Sequence, residues 1–309
     1  MPSWNDILNE YESLDDEERA RRLVADQVSA LSDISRLRDG RQVLFYASAF
    51  LQKSQAPAPT VQITHEDING FMATVYGMDF ERGLTLLMHT PGGVTNAAEA
   101  IVGYLRSKFD DLEVVVPTYA MSAGTMISLA ADRVIMGRQS QLGPIDPQMP
   151  HVGRFVSARA IVEQFEVART DILSNNSAAH VWAPILQAVG PALLQEAQNA
   201  LDYAESMVAD WLSRYMFEAQ GGRVAELLGL DVARHFNDAS AHKSHGRRID
   251  RDEARQQGVK VLDLEDDQEL QESVLTAYHL MTIAFEKGPA SKVIAADTSR
   301  LWVKNIAQS

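Results

Sequence analysis

GLTLLMHTPGGVTNAAEAIVGYLRSKFDDLEVVVPTYAMSAGTMISLAADRVIM, residues 83–136, carries the pattern that decides the fold. The apolar run Leu84–Thr90 has strand length and is broken by Pro91, Gly92 and Gly93. Thr95–Phe109 then repeats apolar residues at helical spacing. Leu112–Ala120 is a second apolar run, Met121–Ala131 a second helix, and Asp132 opens a third strand. Strands alternating with helices of about 12 residues predict an α/β fold whose sheet is mainly parallel. In such sheets chemistry collects where a strand ends and a helix begins, and both glycine-containing breaks fall there.

Working outward, residues 3–38 read as helical, with Leu8, Tyr11, Leu14, Leu23, Val24, Val28 and Leu31 at helical spacing. Their charge suits an outer layer or an oligomer arm. Residues 41–50 read as a buried strand and 65–77 as a helix. Beyond the turn Pro144–Pro150 the chain reads as mostly helical, with long amphipathic stretches at 157–174, 191–220 and 267–287. Residues 242–261 read as loop, short helix and strand, and 291–305 as two short strands. This divides the chain into a helical extension at 1–40, a catalytic core at 41–160 and a mainly helical part at 161–309. The last completes the same domain and is the expected oligomer interface.

The 309 residues are 46% hydrophobic and 23% charged, enough for a sizeable core. A net charge of -14 argues against nucleic acid, which wants a basic face, and against an anionic membrane surface. There is no cysteine, which removes disulfides, thiolate nucleophiles and cysteine-rich zinc sites. The polar, acidic start shows no signal-peptide pattern, and no run approaches the roughly 18 apolar residues that span a bilayer. A soluble, cytoplasmic protein is the expectation. Neither a metal-binding HExxH nor a GxxxxGK[ST] phosphate loop occurs, so no cofactor or metal is expected and any ATP-driven unfolding needs a partner.

Two motifs carry chemistry. Ser122, in MSAGT, sits at a helix entry directly after an apolar strand, where free N–H groups and the positive end of the helix dipole converge. That setting stabilises an oxyanion, and the small Ala123 and Gly124 let a carbonyl approach. The same position also suits a plain N-cap serine. HTPGG, at 89–93, lies at the end of the preceding strand, where Gly92 and Gly93 can bare a backbone N–H toward a shared pocket. By itself it is a tight turn; one strand–helix unit from MSAGT, it suggests the second oxyanion donor.

TPGG, then MSAGT about thirty residues later, then LGPIDPQ, resembles the serine dehydrogenase proteinase family, relatives of signal peptide peptidase A and Clp protease. The similarity extends along nearly the whole chain, from PSWNDIL through NGFM to KSHGRRI and the final helices. The resemblance implies a ClpP/crotonase-type spiral of βαβ units, with Ser122 as nucleophile and Gly93 and Ala123 donating to the oxyanion.

The general base is open. No lysine lies between Lys108 and Lys243, so the lysine of signal peptide peptidase A has no counterpart, and Asp146 stands where Clp protease has its histidine. Asp146 either orients a base or is a turn residue between Pro144 and Pro147. In AHKSHGRRI, His245 suits base work at neutral pH and is favoured over Lys243, which needs burial to serve. If that segment is extended, the two side chains point the same way; a solvated basic loop is the alternative. His89 reads as a hydrogen-bonded structural histidine and His151 as a loop residue.

The expected function is an ATP-independent serine peptidase acting on peptides or unfolded segments, as a homo-oligomer. The alternatives are a scaffold of the same fold that has lost catalysis, or a crotonase-type acyl-CoA enzyme.

Overall fold

Continuous apolar runs, rather than alternating ones, mark strands covered on both faces. The computed structural model, which describes residues 3–151 and 153–306, bears this out. Every residue of β1 (Gln42–Ser48), β2 (Leu84–His89) and β3 (Leu112–Val116) is buried. With β5 (Arg133–Met136), β9 (Val261–Asp263), β10 (Ala290–Ala296) and β11 (Leu301–Asn305) they form a seven-stranded sheet, ordered β11-β10-β1-β2-β3-β5-β9. The pairs from β1 to β9 are parallel; β10 and β11 add an antiparallel edge. This is the mixed α/β fold with a mainly parallel sheet that the alternation predicts. Met1, Pro2 and residues 307–309, the ends of the two expected outer segments, lie outside the described residues.

The chain divides into two compact units, Met1–Leu142 with Ile249–Ser309, and Gly143–Arg248. In the first, the helix Asp16–Leu37 buries Leu23, Gln27, Ala30, Leu31 and Ile34, one stripe of its surface. Leu31 and Ile34 share a core with Phe45, Leu87 and Val115 of the sheet and with Val274, Met281 and Phe285 of the helix Gln268–Lys287. The N-terminal helices are thus an outer layer on one face of the sheet. The second unit is mainly helical, built around Ala158–Ser174, Pro191–Arg214 and Gly222–Asn237. It opens with a hairpin of β7 (Gln148–His151) and β8 (Arg154–Ser157), which the turn-then-helix reading does not contain. Among the described residues no helix is long and apolar enough to cross a membrane.

A buried charge cluster ties the starts of four strands together. Glu113, fully buried, accepts from Arg38 at 2.8 and 2.7 Å, from Arg133 at 2.9 Å and from the Thr85 hydroxyl at 2.7 Å. Arg41 reaches Thr85, the Leu84 carbonyl and Asp111. Burial alone would raise the Glu113 carboxyl, but Arg38, Thr85 and Arg41 outweigh it and hold the pKa below its ordinary 4.5. The stabilisation is therefore fully present above pH 4.5, the unfolded value, and is lost as pH falls through the depressed folded value. Glu113→Gln should cost about 1–3 kcal/mol at neutral pH, less than for a wholly sequestered pair because Arg38 and Arg133 keep some water. Urea midpoints should show that deficit shrinking below pH 4.5.

Candidate active site

β2 ends at His89 and β3 at Val116, so two neighbouring parallel strands release the chain at the same edge of the sheet. Just beyond, the Thr90 N–H donates to the Tyr119 carbonyl at 2.9 Å and the Met121 N–H donates to the Thr90 carbonyl at 3.1 Å. This parallel bridge between Thr90 and Ala120 draws the TPGG turn against the MSAGT turn. On its other side β4 (Tyr119–Ala120) pairs with β6 (Gln141–Leu142), which fixes the approach to Ser122.

Ser122 precedes the helix Ala123–Leu129 with φ 52° and ψ -116°. L-residues at positive φ have only a small well, with ψ positive, so this serine is held in strain. Its hydroxyl makes no capping hydrogen bond, so the plain N-cap role is not taken up. The helix is instead closed by backbone bonds, Gly124 N–H to the Met121 carbonyl and Met126 N–H to the Ser122 carbonyl.

The glycines meet two close approaches. A Cβ on Gly92 would stand 2.6 Å from both the Met121 carbonyl oxygen and Ser122 Cβ, and 3.1 Å from the Ala123 nitrogen. A Cβ on Gly93 would stand 2.3 Å from the Ile63 carbonyl oxygen. Ile63 donates to the Gly92 carbonyl at 2.8 Å and accepts from Val94 N–H at 2.9 Å, the parallel pattern that leaves the Gly93 N–H directed away from Ile63. Among the described residues neither the Gly93 N–H nor the Ala123 N–H donates a hydrogen bond. The Gly92 N–H goes to Thr90 Oγ1 at 3.2 Å. Of the three residues expected at an oxyanion hole, Gly93 and Ala123 have a donor to offer, and Gly92 contributes its missing side chain.

His89 lies beneath this turn, fully enclosed, with Nδ1 2.9 Å from the Thr118 hydroxyl and Tyr278 edge-on at 5.0 Å between ring centroids. Burial pushes its pKa down to about 3, so it is neutral at physiological pH. The structure thus agrees with a hydrogen-bonded structural histidine.

The second unit holds the other expected residues. Asp146 is 1% exposed. Its Oδ1 is 2.7 Å from His245 Nδ1, and its Oδ2 accepts from Gln148 Nε2 at 2.7 Å. An ionised carboxylate only accepts, so the hydrogen bond assigns the proton to Nδ1 and leaves Nε2 as the basic nitrogen of His245. Backbone bonds from Ile145 N–H to Phe236 O and from Ala158 N–H to Pro147 O hold the Asp146 segment. Asp146 thus stands in the turn between Pro144 and Pro147 and also bonds His245 and Gln148. The 243–247 segment is not extended: Lys243 caps the short helix Ala239–His242 in the left-handed region, φ 64°, and Arg247 N–H turns back to Ser244 O. Lys243 is exposed and His151 lies within β7. The structure brings Gly92, Gly93, Ser122 and Ala123 together in one unit and Asp146 with His245 in the other. Thr90 and Gln148 lie inside the TPGG and GPIDPQ motifs, but their hydrogen bonds were not legible there, and Ile63 lies in no motif.

Residues 57–179 match the model of the ClpP-like SDH-type serine proteinases. The match takes in both glycines, Ser122, Ala123 and Asp146, and ends before Lys243 and His245. The chain thus resembles this serine proteinase family over the segment that carries TPGG, MSAGT and GPIDPQ. Two uncharacterized proteins of Methanocaldococcus jannaschii are similar: one is 41% identical over 87 residues, 28% of this chain and 30% of its own. The other is 36% identical over 103 residues, 33% of this chain and 34% of its own. The chain therefore spans about a third of the length of these curated relatives. Among solved structures, the membrane-bound stomatin-specific protease 1510-N aligns with TM-score 0.38 and 18% identity, over 69% of this chain and 79% of that one.

The strain at Ser122 predicts an inverted substitution order. Glycine adopts positive φ freely, whereas alanine keeps the Cβ that makes the conformation costly. Ser122→Gly should be more stable than Ser122→Ala by about 1–2 kcal/mol, the strain released less the glycine entropy cost. Thermal melting of the two variants decides it: equal or reversed midpoints would show that Ser122 is relaxed.

Proposed function

We infer that the chain is a cytoplasmic serine peptidase that cleaves peptides or unfolded protein segments through an acyl-enzyme on Ser122, without ATP and as a homo-oligomer. The observation that carries this reading is a strained serine at a helix entry, its hydroxyl making no capping bond, beside two N–H groups with no acceptor among the described residues. Strain of this kind persists where the surrounding structure imposes it, and functional sites are where it gathers. The family match supports a serine proteinase.

In the proposed reaction Ser122 Oγ bonds to the scissile carbonyl carbon while its proton passes to His245 Nε2. The Gly93 and Ala123 N–H groups hold the oxygen that becomes negative. The tetrahedral adduct collapses with cleavage of the C–N bond, and His245 returns the proton to the leaving amine. Water, deprotonated by the same nitrogen, then cleaves the ester and regenerates the serine. Asp146 holds the Nδ1–H tautomer throughout, a role its hydrogen bond to His245 supports. His245 is preferred to Lys243 because it has this carboxylate behind it, whereas Lys243 is exposed.

A fluorophosphonate probe should label the native chain and leave Ser122→Ala unlabelled; equal labelling of both sinks the proposal. His245→Ala and Asp146→Asn should each slow labelling by about 10²–10⁴-fold, as loss of a base or of its tautomer does. If Lys243→Met slows it as much and His245→Ala does not, the base is the lysine.

A further inference from the structure

One buried ion pair lies outside the proposed chemistry and next to it. Lys292 of β10 and Asp67, in the helix Asp67–Val75, are both fully buried and paired with each other. Lys292 Nζ also donates to the Gln62 carbonyl at 2.9 Å and to Thr64 Oγ1 at 3.2 Å. The other oxygen of Asp67 accepts from the Thr64 N–H at 3.0 Å and from the Tyr46 hydroxyl at 2.8 Å. Every one of these bonds beyond the pair itself and Tyr46 ends on residue 62 or 64. The residue between them is Ile63, whose backbone brackets Gly93 through the Gly92 carbonyl and the Val94 N–H.

A buried ion pair is a poor device for stability, because desolvating two charges offsets most of their attraction, and apolar replacements of similar volume are often as stable. Its hydrogen bonds are directional, however, and here they fix a three-residue segment that has no strand of its own beyond one bridge. The Gly93 loop approaches Ile63 too closely for any Cβ, so a shift of Ile63 moves Gly93 with it. An oxyanion donor acts only within a narrow range of distance and angle.

We propose that Lys292 and Asp67 are positioning residues for acyl transfer: they clamp residues 62–64 and thereby set where the Gly93 N–H points. This rests on the reading of Gly93 as an oxyanion donor at Ser122. Neither side chain touches substrate or exchanges a proton in the reaction. Their effect is confined to the rate at which Ser122 is acylated, not to the fraction of molecules that are competent.

The test is the rate constant and the final extent of fluorophosphonate labelling in the full chain carrying Lys292→Met together with Asp67→Asn, which removes both charges and leaves neither buried alone. The expected result is a labelling rate lower by about 10- to 100-fold, short of the loss on deleting a donor outright, with the final labelled fraction unchanged. A rate within twofold of native in a folded double variant overturns the inference. So does a reduced final fraction with a native rate, which is what a purely structural role produces. If the double variant does not fold, Thr64→Val decides on the same two readouts: a rate reduced about two- to fivefold at full extent supports the clamp, because it removes only the Thr64 hydroxyl and leaves the Gln62 and Thr64 backbone bonds in place, and a native rate overturns it. Ser122→Ala is run in parallel, because labelling that survives it removes the active-site reading itself, whereas a native rate in the double variant removes only this inference.

Discussion

The two hydrogen bonds of Thr90 hold the candidate site together. They run from its N–H to Tyr119 and from Met121 to its carbonyl, one residue past the end of β2 and three past Leu87, the last β2 residue paired with β3. Parallel neighbours emerge at one edge by construction, but their loops are free to diverge unless something bridges them. Thr90 provides that bridge, and its hydroxyl also takes the Gly92 N–H. The consequence is that Gly92 lies against Ser122 and that Gly93 and Ala123 keep their N–H groups undonated among the described residues.

The register that makes this possible is pinned at the far ends of the strands. Glu113, Thr85, Arg133 and Arg41 stand at or next to the starts of β3, β2, β5 and β1, and they share one set of charge-assisted hydrogen bonds. A slip of one residue in any of these strands would break that set and turn each side chain to the opposite face. Polar specificity thus sits at one end of an apolar sheet and a strained, polar turn at the other.

The second unit uses a different economy. Asp146 is buried with both oxygens occupied, one by His245 and one by Gln148. A carboxylate so engaged fixes the orientation of its partner ring. The helix caps and hairpin around it fix the backbone, and neither appears in the motif that draws attention to Asp146.

The βαβ alternation and the serine with its glycine turn were legible in the sequence because they are local: strand period, helix period and a glycine break each occupy a few adjacent residues. The strain at Ser122 was not, since nothing in MSAGT alone distinguishes a cap from a serine forced to φ 52°. The partner of Asp146 lies 99 residues away, in a segment whose basic character suggested a solvated loop. The hold on Gly93 comes from Ile63, an ordinary apolar residue, braced by a lysine from the opposite end of the chain. By itself the sequence determined the fold class, which follows from short-range periodicity, and marked Ser122 as the candidate through two glycine-bearing motifs one strand–helix unit apart. Only the tertiary structure decided which N–H groups stay undonated and which histidine has a carboxylate behind it, because those depend on backbone and side-chain bonds between residues far apart in the chain.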